Sequence, residues 1–190
     1  MATPHRPADL SERLTVLRAQ VGDRDALIVL HERYNAKLLY YVRRLLGAGD
    51  AEDALQEVWM TVVKKIGALE EPRALKTWLY RIARNRAISV LRRRRNDVSL
   101  ADLDEEPESS GDGREEDELS LAGFDAAALH AGLERLSPRH REVLTLRFLE
   151  DLSYEEIADV VGCGLGTVRS RIHYAKKSLH GVLTAPFGDN

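Results

Sequence analysis

Apolar positions along this chain recur at helical spacing and nowhere alternate over a useful length, so the pattern predicts an all-α fold. Residues from about 10 to 96 read as helix throughout, with breaks at Gly22-Asp23, Gly47-Ala48-Gly49-Asp50 and Gly67 to Pro72. The pattern stops over residues 97–125 and resumes at Ala126. Ser137-Pro138 then marks a helix start, with the serine as cap and the proline at the first helical position. There is no internal repeat. Two small helical domains are expected, residues 10–96 and 126–184, joined by a flexible linker, residues 97–125.

The segment from Leu152 through Ile172 has the form of a helix-turn-helix. Ser153 followed by Glu156 is a capping box, in which each side chain satisfies an amide the new helix leaves unpaired. Gly162, Gly164 and Gly166 break the pattern, and a second helix is expected from near Thr167. Val168, Ile172, Ala175 and Leu179 form one narrow apolar stripe on it, while Gly166, Arg169, Ser170, His173 and Lys177 take the opposite arc. A short helix with an anchoring stripe and a basic, hydrogen-bonding outer face suits the major groove of DNA. A plain helical hairpin with a solvated face is the competing reading, and the joint placement of cap, turn and charge weighs against it.

The helix after Asp50 divides just as clearly. Ala51, Leu55, Val58, Trp59, Val62, Val63 and Ile66 cluster within an arc of about 140°, the expected buried face. Asp53, Gln56, Glu57, Met60 and Lys64 cover the other side. An outward methionine flanked by carboxylates and an amide fits a protein-binding surface that accepts arginines, although a solvated acidic face is commoner.

In the next helix, residues 75–95, the expected core face holds Leu75, Trp78, Leu79, Ile82 and Val90. Thr77, Arg81, Arg84, Arg92 and Arg95 lie within an arc of about 80° on the other side. Such a stripe can follow a phosphate backbone and release counterions. Of the two aromatics, Trp78 falls on the expected core face, which leaves Tyr80 better placed to stack on a base. Arg86 falls within the apolar stripe and fits it poorly.

Charge sharpens this division. The net charge of −3 conceals 19 Lys/Arg against 11 Asp/Glu in residues 1–96, 1 against 12 in residues 97–125, and 8 against 8 in residues 126–190. The linker segment from Asp104 to Gly113 is too acidic and too poor in large apolar groups to pack. An acidic run of this kind can fold back on a basic domain and suppress DNA binding, and replacing it with Gly/Ser without any change in DNA affinity would exclude that role. One cysteine, Cys163, excludes an internal disulfide and a cysteine-rich zinc cluster; a small thiol packed in the turn is the expected role. Residues 1–7 hold no apolar leader and no stretch approaches membrane-spanning length, so a cytoplasmic protein without membrane insertion is expected.

Together these segments resemble the extracytoplasmic-function sigma factors of bacterial RNA polymerase over roughly residues 12–183. The resemblance rests on Asp50 through Trp59 (DAEDALQEVW), on Thr77 through Asn85 (TWLYRIARN) and on Leu152 through Ile172, three motifs in the family's order. It implies a first domain like sigma region 2, whose Asp53, Gln56, Glu57 and Met60 dock on the clamp helices of core RNA polymerase. It also implies that Lys76, Thr77, Tyr80, Arg81, Arg84, Asn85 and Arg92 engage the −10 element as it melts. The second domain is similar to region 4, with Gly166, Thr167, Arg169, Ser170, His173, Tyr174 and Lys177 toward the −35 element. The family further implies an anti-sigma factor as controlling partner, a tether threaded through the polymerase, and no cofactor. Tyr174 stands where many relatives carry arginine and Gly164 where proline is frequent, so no base preference is carried over.

Two other classes compete. A conventional regulator would grip duplex operators alone, but nothing here suggests a ligand pocket and the basic stripe of residues 76–95 would go unexplained; dependence of specific DNA binding on core polymerase separates the two. An enzyme finds less support. His5, His31, His130, His140, His173 and His180 are scattered without metal-ligand spacing, and no phosphate loop or nucleophile motif is present.

Overall fold

The structure, a computed structural model, describes residues 7–95 and 125–184. These residues fall into two compact units, one within residues 1–100 and the other within residues 101–190. Among the described residues every regular element is helical. The acidic linker expected from the sequence lies outside the described residues, apart from Asp125, whose carboxylate caps the first helix of the second unit by accepting from Ala128 N at 2.6 Å.

The first unit contains α1 (Pro7–Gln20), α2 (Arg24–Leu46), α3 (Ala51–Lys65) and α4 (Leu75–Arg95), with short 3-10 turns at Ile66–Ala68 and Pro72–Ala74. Asp23 starts α2 by accepting from the amides of Asp25 and Ala26 at 3.0 and 3.2 Å. Its second oxygen takes Arg18 Nε at 2.7 Å, and that guanidinium, with the capping amides, holds the Asp23 carboxyl below its usual range. Gly47 ends α2 at φ 80°, a backbone conformation that L side chains rarely adopt. Gln20 of α1 donates to the carbonyls of Ile66 and Leu69 at 3.2 and 2.6 Å, which ties α1 to the loop after α3.

The core of this unit is built from Leu30, Leu38, Tyr41 and Val42 of α2, Leu55, Val58 and Val62 of α3, and Leu75, Leu79, Tyr80, Ala83 and Ala87 of α4. Each large side chain buried this way contributes about 1.5–3 kcal/mol. The expected arc on α3 shifts: Ala54 is buried, Trp59 is only half-buried and Val63 is 57% exposed, because the buried arc is centred between α2 and α4 and leaves Trp59 and Val63 at and beyond its edge.

On α4 the core face is turned by about 70° from the one expected. Tyr80, Ala83 and Ala87 are buried, whereas Trp78, Ile82 and Val90 are only half-buried. The two alanines explain the difference. Small side chains let α4 approach its neighbours closely, so the interface follows the alanines and displaces the bulkier residues to its rim.

The second unit contains α5 (Ala126–Glu134), α6 (Pro138–Leu144), a π-helical turn (Thr145–Leu149), α7 (Tyr154–Val161) and α8 (Leu165–Thr184). Ser137 caps α6 with Pro138 at the first helical position, as expected. The capping box is present in full: Glu156 N donates to Ser153 Oγ at 3.1 Å, and Ser153 N donates to Glu156 Oε2 at 2.8 Å. Replacing Ser153 with alanine is expected to cost about 0.5–2 kcal/mol, read as a lower midpoint in urea denaturation. Gly162 closes α7 in the left-handed region at φ 72°, and α8 begins at Leu165, slightly earlier than the sequence pattern indicated. Val168, Ile172, Ala175 and Leu179 are all buried, so α8 is anchored by the stripe read from the sequence.

Candidate polymerase and nucleic-acid interfaces

Two faces of the first unit carry most of the sequence-derived candidates. The first is a groove of about 670 Å³ between α2 and α3, lined by His31, Asn35 and Leu39 on one side and Glu52, Leu55, Gln56, Trp59, Met60, Val63 and Lys64 on the other. Its floor is held rigidly. Trp59 Nε1 donates to Asn35 Oδ1 at 2.9 Å, and the His31 ring lies 4.8 Å from the indole. Of the four residues expected to meet a protein partner, Gln56 and Met60 line the groove, and Met60 is 57% exposed. Asp53 and Glu57 are exposed on the same helix outside the groove lining, with Glu57 paired to Arg86 of α4.

Acid and base alternate around this face. Arg43 pairs with Glu52 and holds its carboxyl below the usual range, and Arg94 pairs with Asp50 while donating to the Leu46 carbonyl at 3.1 Å. The apolar groove residues Leu39, Trp59 and Val63 join the candidate surface only in three dimensions. The helical pattern puts Val63 on the expected buried face, and Leu39 belongs to a different helix.

The second face belongs to α4. Arg81, Asn85 and Arg92 are exposed there, as their expected role requires, with half-buried Arg84 at the edge, whereas half-buried Lys76 lies about 160° around the helix from them. Two candidates are not accessible. Tyr80 is fully buried, its ring edge-on to Tyr41 at 5.2 Å, and Thr77 is 8% exposed. The expectation that Tyr80 offers its ring to a base is therefore corrected: the rotated phase of α4 sends it into the core. The same rotation brings half-buried Trp78 onto the face shared by Arg81, Asn85 and Arg92. The side chain of Arg95 lies outside the described residues.

On α8 the exposed residues Gly166, Arg169, Tyr174 and Lys177 and the half-buried Thr167, Ser170 and His173 occupy one broad outer arc. Ser170 Oγ donates to the Thr167 carbonyl at 3.0 Å, leaving its oxygen to accept, and His173 packs edge-on against Tyr174 at 5.3 Å. Other cations nearby are engaged within the unit. Arg147 donates to the Leu152 carbonyl at 3.0 Å and lies over Tyr154, Lys176 lies 5.5 Å from the Phe148 ring centre, and Arg171 reaches Cys163 Sγ at 3.7 Å. Arg169 and Lys177 are exposed cations of α8, Lys177 opposite the buried stripe and Arg169 at the edge of the outer arc.

Among the described residues, no group of His, Cys, Asp and Glu is placed to hold a metal ion, and no helix is long and apolar enough to cross a membrane.

A helical unit with an apolar α2–α3 groove and a basic face on α4, followed by a helix-turn-helix unit, is the arrangement of a sigma-class transcription protein, as the comparisons with known proteins show. The sigma-70 region 2 family model matches residues 30–96 and the sigma-70 region 4 model residues 126–179. The chain is 34% identical over 177 residues to the ECF RNA polymerase sigma-E factor of Escherichia coli (strain K12), covering 90% of this chain and 93% of that protein. It is 36% identical over 176 residues to the RNA polymerase sigma-H factor of Pseudomonas aeruginosa, covering 88% and 91%. Among solved structures, CnrH bound to the cytosolic domain of CnrY shares the fold at a TM-score of 0.64 and 22% identity, over 93% of this chain and 99% of that one. The sigma factor RpoE of Bartonella quintana, in complex with the anti-sigma factor NepR, aligns at a TM-score of 0.61 and 25% identity, over 82% and 95%. The chain belongs to the extracytoplasmic-function sigma factors of the sigma-70 family.

Proposed function

We propose that this sigma factor binds core RNA polymerase through the α2–α3 groove and the polar face of α3, and that it reads a promoter at two separated places. The observation that carries the reading is the coexistence, in one chain, of a helix-turn-helix whose second helix exposes Arg169 and Lys177, and of a unit with an apolar α2–α3 groove and an exposed basic face on α4. Gln56 and Met60 enter the partner interface from the groove edge, with Asp53 and Glu57 supplying carboxylates for polymerase cations. The face of α4 bearing Arg81, Asn85 and Arg92, with Arg84 at its edge, takes the −10 element, with Trp78 as the aromatic within reach of an unstacked base.

Promoter opening on this reading uses no ATP and no active site. Its energy comes from exchanging base stacking within DNA for stacking and phosphate contacts on the protein, each captured base contributing about 1–3 kcal/mol. The protein works in the cytoplasm, where its polymerase and promoters are. An anti-sigma factor that covers the polymerase-docking face is its expected regulator, as two neighbours in fold were solved with such a partner or with another protein's cytosolic domain.

On α8, Arg169, Ser170, His173, Tyr174 and Lys177 face the −35 duplex, with Gly166 and Thr167 at the helix start where the backbone approaches the phosphates. Arg169→Ala is expected to cost about 1–3 kcal/mol of holoenzyme binding to a −35 duplex if the guanidinium reads a guanine edge. A mobility-shift series across single-base variants measures this. Loss confined to one base position supports base readout, whereas an equal loss on every variant reduces Arg169 to a phosphate contact.

A further inference from the structure

We infer that Arg86 is a positioning residue for the polymerase contact, acting by holding the Glu57 carboxylate in the orientation that core polymerase engages. The inference rests on the reading of Glu57 as a docking residue. Arg86 projects from the flank of α4 that faces α3, and its side chain is 17% exposed against 50% for Glu57. One guanidinium nitrogen donates to Glu57 Oε1, and the Nε is buried without a hydrogen-bond partner. A largely buried cation is thus anchored beneath a half-exposed anion.

That asymmetry matters for recognition. An exposed glutamate samples many rotamers, and ordering it on association costs affinity. With one oxygen tethered from below, the carboxylate is ordered in advance and its other oxygen can still accept from an incoming cation. A simple staple between α3 and α4 would not require this pair. Arg94 already ties the far end of α4 to Asp50 and to the Leu46 carbonyl at the α2–α3 corner. The pair also removes Arg86 from the DNA-facing charges and accounts for an arginine placed on an otherwise apolar flank.

The test uses the full chain and purified core polymerase, with affinity measured by fluorescence anisotropy for Glu57→Gln, Arg86→Met, Arg86→Lys and the double variant E57Q/R86M. Glu57→Gln and Arg86→Met are each expected to weaken core binding about 5- to 20-fold, and the double variant no further than Glu57→Gln alone. Arg86→Lys, which keeps the charge, should recover most of the affinity. Arg86→Gln replaces the methionine variant should the latter not fold, as judged by helicity and melting temperature. Unchanged affinity in the Arg86 variants while Glu57→Gln weakens binding overturns the inference, as do additive losses in the double variant. Should Glu57→Gln itself bind core normally, the docking role of Glu57 fails first and the positioning role falls with it.

Discussion

Tyr80→Ala is expected to cost the first unit about 3–5 kcal/mol of stability, seen as a large loss of its urea midpoint. The side chain is fully buried against Tyr41 between α4 and α2, so its removal leaves a cavity lined by core residues that relax only in part. Trp78→Ala behaves differently. Its ring is half-buried at the rim of α4, and its loss is expected to reduce promoter opening, measured by permanganate reactivity of unpaired thymines, by about 1–3 kcal/mol in the opening equilibrium. The crossed comparison is decisive for α4. A Tyr80→Ala protein of native stability that fails to open DNA would return Tyr80 to the nucleic-acid face and place Trp78 in a packing role.

Met60→Glu has the next largest expected consequence. Met60 is 57% exposed on the groove edge, so the substitution leaves the core of the first unit intact. It adds a charge beside Trp59, Leu55 and Val63, where a partner's apolar side chain would otherwise exclude water. Hot-spot residues of such interfaces lose about 2 kcal/mol or more on truncation, and a charge buried there without a partner is at least as costly, so core affinity should fall by about thirtyfold or more if the partner covers Met60. Anisotropy with labelled protein and purified core measures it. An unchanged Kd with a native melting temperature would move the polymerase contact away from the groove and onto the carboxylates of α3 alone.

Features set within one helix were legible in the sequence, and those set by contacts between helices were not. The capping box of Ser153 and Glu156, the stripe of Val168, Ile172, Ala175 and Leu179, and the start at Ser137-Pro138 were legible because each depends on a few neighbouring residues in one helix. The phase of α4 was not. Periodicity weights bulky residues, so it assigned Trp78, Ile82 and Val90 to the core, whereas Ala83 and Ala87 set the contact by letting the backbones approach.

The α2–α3 groove was also beyond pattern reading, because Leu39 and Asn35 come from another helix and helical spacing puts Val63 on the buried face. Trp59 gave a partial signal: an amphipathic aromatic at the edge of a buried arc is often half-exposed with its N–H bonded, here to Asn35. Arg86 gave another. A charge that interrupts an apolar flank marks a place where tertiary structure supplies the counter-charge, and Glu57 does so. In the second unit, Lys176, Arg147 and Arg171 look equivalent to Arg169 in composition, and only their contacts with Phe148, Tyr154 and Cys163 separate packing cations from presented ones.

The most direct test of the account is run-off transcription with bacterial core polymerase, comparing core alone with core plus this chain on genomic fragments and mapping the start sites. The account predicts transcripts from a small set of positions, absent without the chain and lost with Met60→Glu. Transcription unaltered by the added protein, or start sites no different from those of core alone, would contradict it.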